Sequence, residues 1–120
     1  MSNKKLNIGL FGFGTVGESL YRVLQQTPTL NGEIKKVVIK HPEKERNAPA
    51  ALFTTDANEI LNDEEINIVV ELIDDADAAY QIVTTALKSG KGVVSANKKL
   101  IANHLTELIE LQRQYNVPFL

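Results

Sequence analysis

The sequence predicts a doubly wound α/β domain, a mainly parallel sheet with helices on both faces, and three observations predict it. Short apolar, β-prone runs alternate with segments of helical periodicity. The first of these runs breaks at a glycine-rich turn that opens a helix. No repeat, low-complexity tract or shift in composition divides the 120 residues, so a single domain over 1–120 is expected. Strand–helix alternation of this kind lays each crossover helix on one face of a parallel sheet.

The elements follow in order. Leu6–Phe11 (LNIGLF) is apolar, ends at Gly12 and reads as a buried strand. Val16, Leu20, Val23 and Leu24 recur at i, i+4, i+7 and i+8, one face of a helix that Pro28 stops. Residues 33–40 (EIKKVVIK) are the second strand, and 41–49, charged and holding two prolines, an exposed loop. Phe53 and Thr54 suit a short strand, 58–62 a short helix, and 66–73 (INIVVELI) the next central strand. Ala79, Ile82, Val83, Ala86 and Leu87 form a second apolar stripe, with an aspartate before it and Lys88 and Gly90 after it to suit the dipole and the cap. Residues 93–95 are a short buried strand. Ile101, Leu105, Leu108 and Ile109 mark a last helix, for which Asn97 or Asn103 is the candidate N-cap. A further apolar run begins at Val117.

Composition excludes several functions. Without cysteine there are no disulfides, thiolate metal sites or cysteine nucleophiles, and His41 and His104 show no metal-ligand spacing. The net charge of −2, with no basic stripe, argues against a nucleic-acid surface. Lys4 and Lys5 precede an apolar stretch, but Asn7 and the glycines interrupt it and no small-residue cleavage site is evident, so no signal peptide is expected. No apolar run approaches the roughly 20 residues of a membrane helix. A cytoplasmic protein is the expectation.

The chemistry sits in Gly12-Phe13-Gly14-Thr15-Val16-Gly17, a G-x-G-x-x-G that follows a strand and opens a helix. This context is the one a Rossmann-type dinucleotide fingerprint requires. Gly12 permits the tight turn, Gly14 lets a pyrophosphate approach the backbone, and Gly17 lets the helix pack on the strand. Free N–H groups and the helix dipole would then stabilise phosphate charge. An acid at the end of the second strand would bind the ribose 2′-hydroxyl of NAD. Here that strand ends Val38-Ile39-Lys40-His41, and a cation at Lys40 favours NADP, with NAD possible. Lys44 and Arg46 add positive charge that Glu43 and Glu45 offset.

Three segments together resemble the homoserine dehydrogenases: Gly9 to Gly17, the strand Val69-Val70-Glu71-Leu72-Ile73, and Val94-Ser95-Ala96-Asn97-Lys98 followed by Leu100-Ile101-Ala102. The A-N-K segment after a strand is more specific than the glycine turn. The resemblance runs through essentially the whole chain. It implies interconversion of aspartate semialdehyde and homoserine with NAD(P)H, on the route to threonine and methionine. It implies cofactor contacts at the 12–17 turn, especially Thr15 and Val16, and at Ile73, Ala96, Asn97 and Lys98. Lys98 is the candidate catalytic residue, with Lys99 as its rival.

The chain departs from the family after the E-L-I strand, where Asp74-Asp75 and then Ala78 replace the usual Gly-Gly and proline. Aspartates capping the next helix are the expected reading. The resemblance also implies a following domain that holds the amino-acid aldehyde or alcohol and carries a second catalytic lysine and an aspartate. Nothing in these residues supplies it, so the chain alone is expected to be inactive; a homo-oligomer is possible for the whole enzyme. The competing readings are an NAD(P)-sensing regulatory module, which would want an acid at the end of the second strand, and another dehydrogenase, which would differ at A-N-K. Glu71 is expected to bind backbone or cofactor rather than react. Tyr21, Tyr80 and Tyr115 read as core or surface, and His104 as a solvated first-turn residue.

Overall fold

The computed structural model describes residues 5–120; Lys4, half of the basic N-terminal pair, lies outside the described residues. Nine elements in chain order are β1 (Leu6–Phe11), α1 (Thr15–Gln26), β2 (Gly32–Val38), β3 (Phe53–Thr54), α2 (Asn58–Leu61), β4 (Ile68–Glu71), α3 (Ala76–Lys88), β5 (Gly92–Ser95) and α4 (Lys98–Tyr115), with short 3₁₀ turns at Pro28–Leu30 and Ala50–Leu52. The strands form one sheet in the order β3-β2-β1-β4-β5, and every pairing is parallel. The order reverses beside β1, and in such sheets the crevice at the strands' carboxyl ends at that point is where ligands bind. The run after α4 does extend the sheet: Phe119 bridges Val93 in parallel, and Leu120 exchanges backbone hydrogen bonds with Val93 and Ser95.

Alternation along the strands divides the core in two. Ile8 and Leu10 of β1, with Ile34, Val37 and Val70, pack under Leu20, Tyr21 and Leu24 of α1. Phe11, Val69 and Val93 face the other way and meet Ile60 of α2, Ala79, Val83, Ala86 and Leu87 of α3, and Leu100 and Leu108 of α4. Successive strand residues point to opposite faces, so one short strand serves both layers.

Four expectations need correction. Two strands stop short of their apolar runs: β2 covers Gly32–Val38 rather than 33–40, and β4 covers Ile68–Glu71 rather than 66–73, while β1 has the expected bounds and β5 starts one residue early. The buried face of α1 runs through Gly17, Leu20, Tyr21 and Leu24, while Val16 and Val23 are 65% and 48% exposed. Gly17 and Tyr21 carry that face without counting as apolar signals. In α4, Leu100 and Leu108 are buried, whereas Leu105 and Ile109 are exposed. His104 leaves helical geometry there (φ −133°, ψ 18°) and shifts the phase of the stripe. No proline or glycine causes this break; the His104 ring stacks on Tyr80 at 4.4 Å, and His104 lies in the second turn of the helix, not the first. The α3 stripe is as expected, with Ala79, Val83, Ala86 and Leu87 all buried and Ile82 partly so.

Candidate nucleotide-binding site

The glycine turn is built as its spacing requires. Gly12 adopts φ +102°, a conformation that strains any side chain, and its N–H donates to the Val38 carbonyl. A Cβ on Gly17 would stand 2.7 Å from the Gly12 carbonyl oxygen, so only glycine lets α1 start this close to β1. Gly14, the N-cap of α1, is different: a Cβ there would meet nothing within 4 Å, and no side chain caps the helix. The first N–H groups of α1 therefore open onto free space, where an anion would complete them.

That space is a cleft of about 790 Å³ at the carboxyl ends of the strands, within the roughly 300–1,000 Å³ of small-molecule sites. Phe11, Gly12, Phe13 and Gly14 line it from β1, Val38, Ile39 and Lys40 from the end of β2, and Leu72, Ile73, Asp74 and Asp75 from the end of β4. The residues present fit a dinucleotide.

Its charge is mixed. Lys40, Lys44 and Arg46 line it together with Glu18, Glu45, Asp74 and Asp75. Two of the acids are engaged elsewhere. Glu18 pairs with Arg22 at 2.9 Å and accepts from the Asn47 amide at 3.3 Å. Asp75 caps α3, one carboxylate oxygen accepting from the N–H groups of Asp77 (2.9 Å) and Ala78 (3.2 Å). Capping was the expected role of the aspartate pair, and Asp75 fills it; Asp74 stays exposed on the rim.

Glu71, at the end of β4, is wholly buried. Oε2 accepts from the Ile73 N–H at 2.7 Å and Oε1 from the Ser95 hydroxyl at 2.6 Å. It binds backbone, one of the two partners expected for it. Ser95 Oγ in turn accepts from the Asn97 N–H, and the Asn97 amide donates to the Ile73 carbonyl while its oxygen caps α4 at the Leu100 N–H. Of the two candidate caps, Asn97 is the one used.

Gly12, Phe13, Gly14, Lys40 and Ile73 therefore meet in one cleft. Thr15 and Val16 are exposed at the start of α1, just past its lining, and Gly17 is buried beneath the turn. Ala96, Asn97 and Lys98 leave β5 beyond the lining, with Ala96 and Lys98 exposed and the Asn97 side chain buried in the hydrogen bonds above. Along the sequence Glu43 and Glu45 offset Arg46, and no local pattern marks Lys91. Lys91 is 4% exposed, far in sequence from the turn, and its Nζ donates to the carbonyls of Asp63 (2.6 Å) and Ile66 (2.7 Å). Burial pushes its pKa down. Among the described residues, no group of His, Asp and Glu is placed to hold a metal, and no helix is long and apolar enough to cross a membrane.

A parallel sheet in this order, a glycine turn with an open helix start and a cleft at the switch point define a nucleotide-binding Rossmann domain. Residues 12–120 match the family model described as homoserine dehydrogenase, NAD binding domain. The chain belongs to the homoserine dehydrogenase family, where it corresponds to that domain. It is 33% identical to the homoserine dehydrogenase of Helicobacter pylori over 97% of this chain and 29% of that protein. To the Lactococcus lactis enzyme it is 37% identical over 93% of this chain and 29% of the relative. It thus spans less than a third of these relatives' length. A crystal structure of S. aureus homoserine dehydrogenase superposes with a TM-score of 0.84 at 38% identity, covering 97% of this chain and 32% of the other. A hyperthermophilic archaeal homoserine dehydrogenase solved in complex with NADPH shares the fold, with a TM-score of 0.80 at 23% identity over 97% of this chain and 43% of that one.

Proposed function

We propose that this chain is the NADP-preferring cofactor domain of an enzyme that interconverts aspartate semialdehyde and homoserine. The carrying observation is the open space over Gly14 at an uncapped helix start, the geometry a pyrophosphate needs. Bound there, the nicotinamide dinucleotide supplies hydride transfer to or from the substrate carbon. Gly12, Phe13, Gly14, Thr15 and Val16 hold the pyrophosphate, with Gly17 setting the helix close behind them. Ile73 and Ala96 flank the nicotinamide half at the ends of β4 and β5. Asn97 works indirectly, fixing both turns from its buried position.

Lys98 is the residue we assign to the substrate oxygen, where a cation stabilises the developing alkoxide and a desolvated lysine donates the proton. Its location supports the reading. Lys98 and Lys99 open α4 with no acid in the first turn. Cations at the positive end of a helix dipole cost about 0.3–1 kcal/mol each, an arrangement that folding alone would not select. The residues that hold the substrate belong to the remaining length of the relatives, so the isolated chain binds cofactor without turnover.

The NADP preference follows from Lys40, exposed on the cleft rim where an acid would select NAD. Titration of NADPH and NADH into the chain and into Lys40→Asp tests it. A charge-assisted phosphate hydrogen bond is worth about 1.5–3 kcal/mol, and exposure places Lys40 at the low end. NADPH should bind roughly tenfold more tightly to the wild type, and Lys40→Asp should erase or reverse that ratio. Equal binding of both, unchanged in the variant, refutes the assignment.

A further inference from the structure

We infer that the buried carboxylate of Glu71 sets the charge preference of the nicotinamide end of the cleft, so that the oxidised, positively charged ring is held more tightly than the reduced, neutral one. The inference rests on the dinucleotide reading above, which brings that ring to the ends of β4 and β5. It goes beyond that reading by giving the site a bias between the two redox forms.

Glu71 is the only carboxylate buried among the described residues. It ends β4, in register between Phe11 of β1 and Ser95 of β5. Phe11 and, two residues beyond Glu71, Ile73 line the cleft, so the acid belongs to the layer just beneath the lining. Its hydrogen bonds suit the ionised form. The Ile73 N–H can only donate, and it reaches Oε2 at 2.7 Å. The Ser95 hydroxyl accepts from the Asn97 N–H at 3.2 Å and gives its own hydrogen to Oε1 at 2.6 Å. Each carboxylate oxygen is thus met by a donor.

Among the described residues no cation balances this charge, since none of their ion pairs includes Glu71. Dipoles solvate it without cancelling it. A buried charge is also screened far less than an exposed one. Asp74, Asp75 and Lys98 stand at the same strand ends, but all three are exposed, where water and salt weaken their fields. The two redox forms of the cofactor differ by one positive charge on the nicotinamide ring. Contacts to the phosphates and the adenosine are common to both, so the glycine turn cannot distinguish them and the local field can. A field that favours the charged ring also favours departure of the hydride from the reduced one. Glu71 therefore biases the site toward reducing a bound aldehyde.

The test is calorimetric titration of NADP+ and of NADPH into the wild-type chain, Glu71→Gln and Asp74→Asn, each checked for an intact melting transition. Glutamine keeps the shape of the side chain, accepts from the Ile73 N–H and donates to Ser95, so it removes the charge and little else. The wild type should bind NADP+ more tightly than NADPH by about threefold or more. Glu71→Gln should lower that ratio by about threefold to tenfold, the larger change being about 30 mV in the potential of the bound couple. Asp74→Asn should keep most of the ratio. Four results would overturn the proposal: a wild type that binds both forms equally or favours NADPH, a ratio unchanged in Glu71→Gln, both affinities falling by one factor in that variant, or loss of the ratio in Asp74→Asn alone. Should Glu71→Gln fail to fold, the wild-type ratio decides. In all four the dinucleotide reading still stands. A wild type that binds neither form removes that reading as well.

Discussion

The buried carboxylate of Glu71 and the hydroxyl of Ser95 meet at 2.6 Å and join the ends of β4 and β5. Both turns that flank the nicotinamide half in our reading start from this pair. Ser95→Ala would leave Oε1 of a fully buried carboxylate without its donor, and would remove the acceptor of the Asn97 N–H. An unsatisfied buried group of this kind costs about 1–3 kcal/mol, more when charged. Urea denaturation should show a lower midpoint with an unchanged slope. A midpoint equal to the wild type would mean that the hydroxyl does not hold the carboxylate.

Gly14 and Gly17 should separate binding from folding. Gly14→Ala adds a methyl group where no protein atom lies within 4 Å, so thermal stability should stay close to wild type while NADPH affinity falls at least tenfold, by a clash with the pyrophosphate. Gly17→Ala drives a Cβ to 2.7 Å from the Gly12 carbonyl oxygen, so α1 must shift, at a cost of about 1–3 kcal/mol. Unaltered cofactor binding by Gly14→Ala would disqualify the open space as the phosphate site.

Lys91 predicts a pH dependence. Burial lowers its folded pKa below the ordinary 10.5. Between those two values the unfolded chain binds more protons than the folded one, so the contribution of Lys91 to stability rises with pH across that window. A neutral amine has two N–H donors, which suit the carbonyls of Asp63 and Ile66. Tyr80 acts oppositely. The hydrogen bond to Glu107 raises its pKa above 10.0, so its contribution is present below about 10 and lost above it. Comparing wild type with Lys91→Met cancels the tyrosine. The stability difference between the two should widen from neutral to alkaline pH, and a difference that is flat with pH would contradict the lowered pKa.

Lys98→Met should leave the melting temperature of this chain unchanged or slightly raised, because it removes a cation from the positive end of α4. In an enzyme of the relatives' length the same change should lower turnover by orders of magnitude with little change in NADPH affinity. Turnover that recovers at saturating NADPH would make Lys98 a cofactor-binding residue instead.

Much of the fold was legible because its signals are local. Apolar runs broken by glycine mark β1 and β5, and the α3 stripe reads correctly because nearly all its apolar residues face the core. The glycine turn and the Asp75 and Asn97 caps are legible for the same reason, since each acts on neighbours within a few residues. What failed depends on contacts across the fold. Val16 and Val23 look like core residues until Gly17 and Tyr21 are seen to carry the buried face of α1. Lys91 follows a glycine and reads as solvated, because its carbonyl partners lie 25 and 28 positions earlier. Arg46 looked cancelled by Glu43 and Glu45 when charges were counted along the chain; the Phe53 ring that orients it lies beyond the loop.

The break at His104 means that α4 cannot act as one stiff lever. Its first segment is anchored through Asn97 to the carbonyl of Ile73. The second is held by the burial of Leu108 and, through Glu107, by the Tyr80 hydroxyl of α3. The joint lies between these anchorages. A displacement at the end of β5 can pivot the residues next to Lys98 without tilting the far half of the helix, and so without prying α4 from the core. The amides around this joint should exchange hydrogen with solvent sooner than those of Leu100 or Leu108, an early local opening in an otherwise cooperative layer.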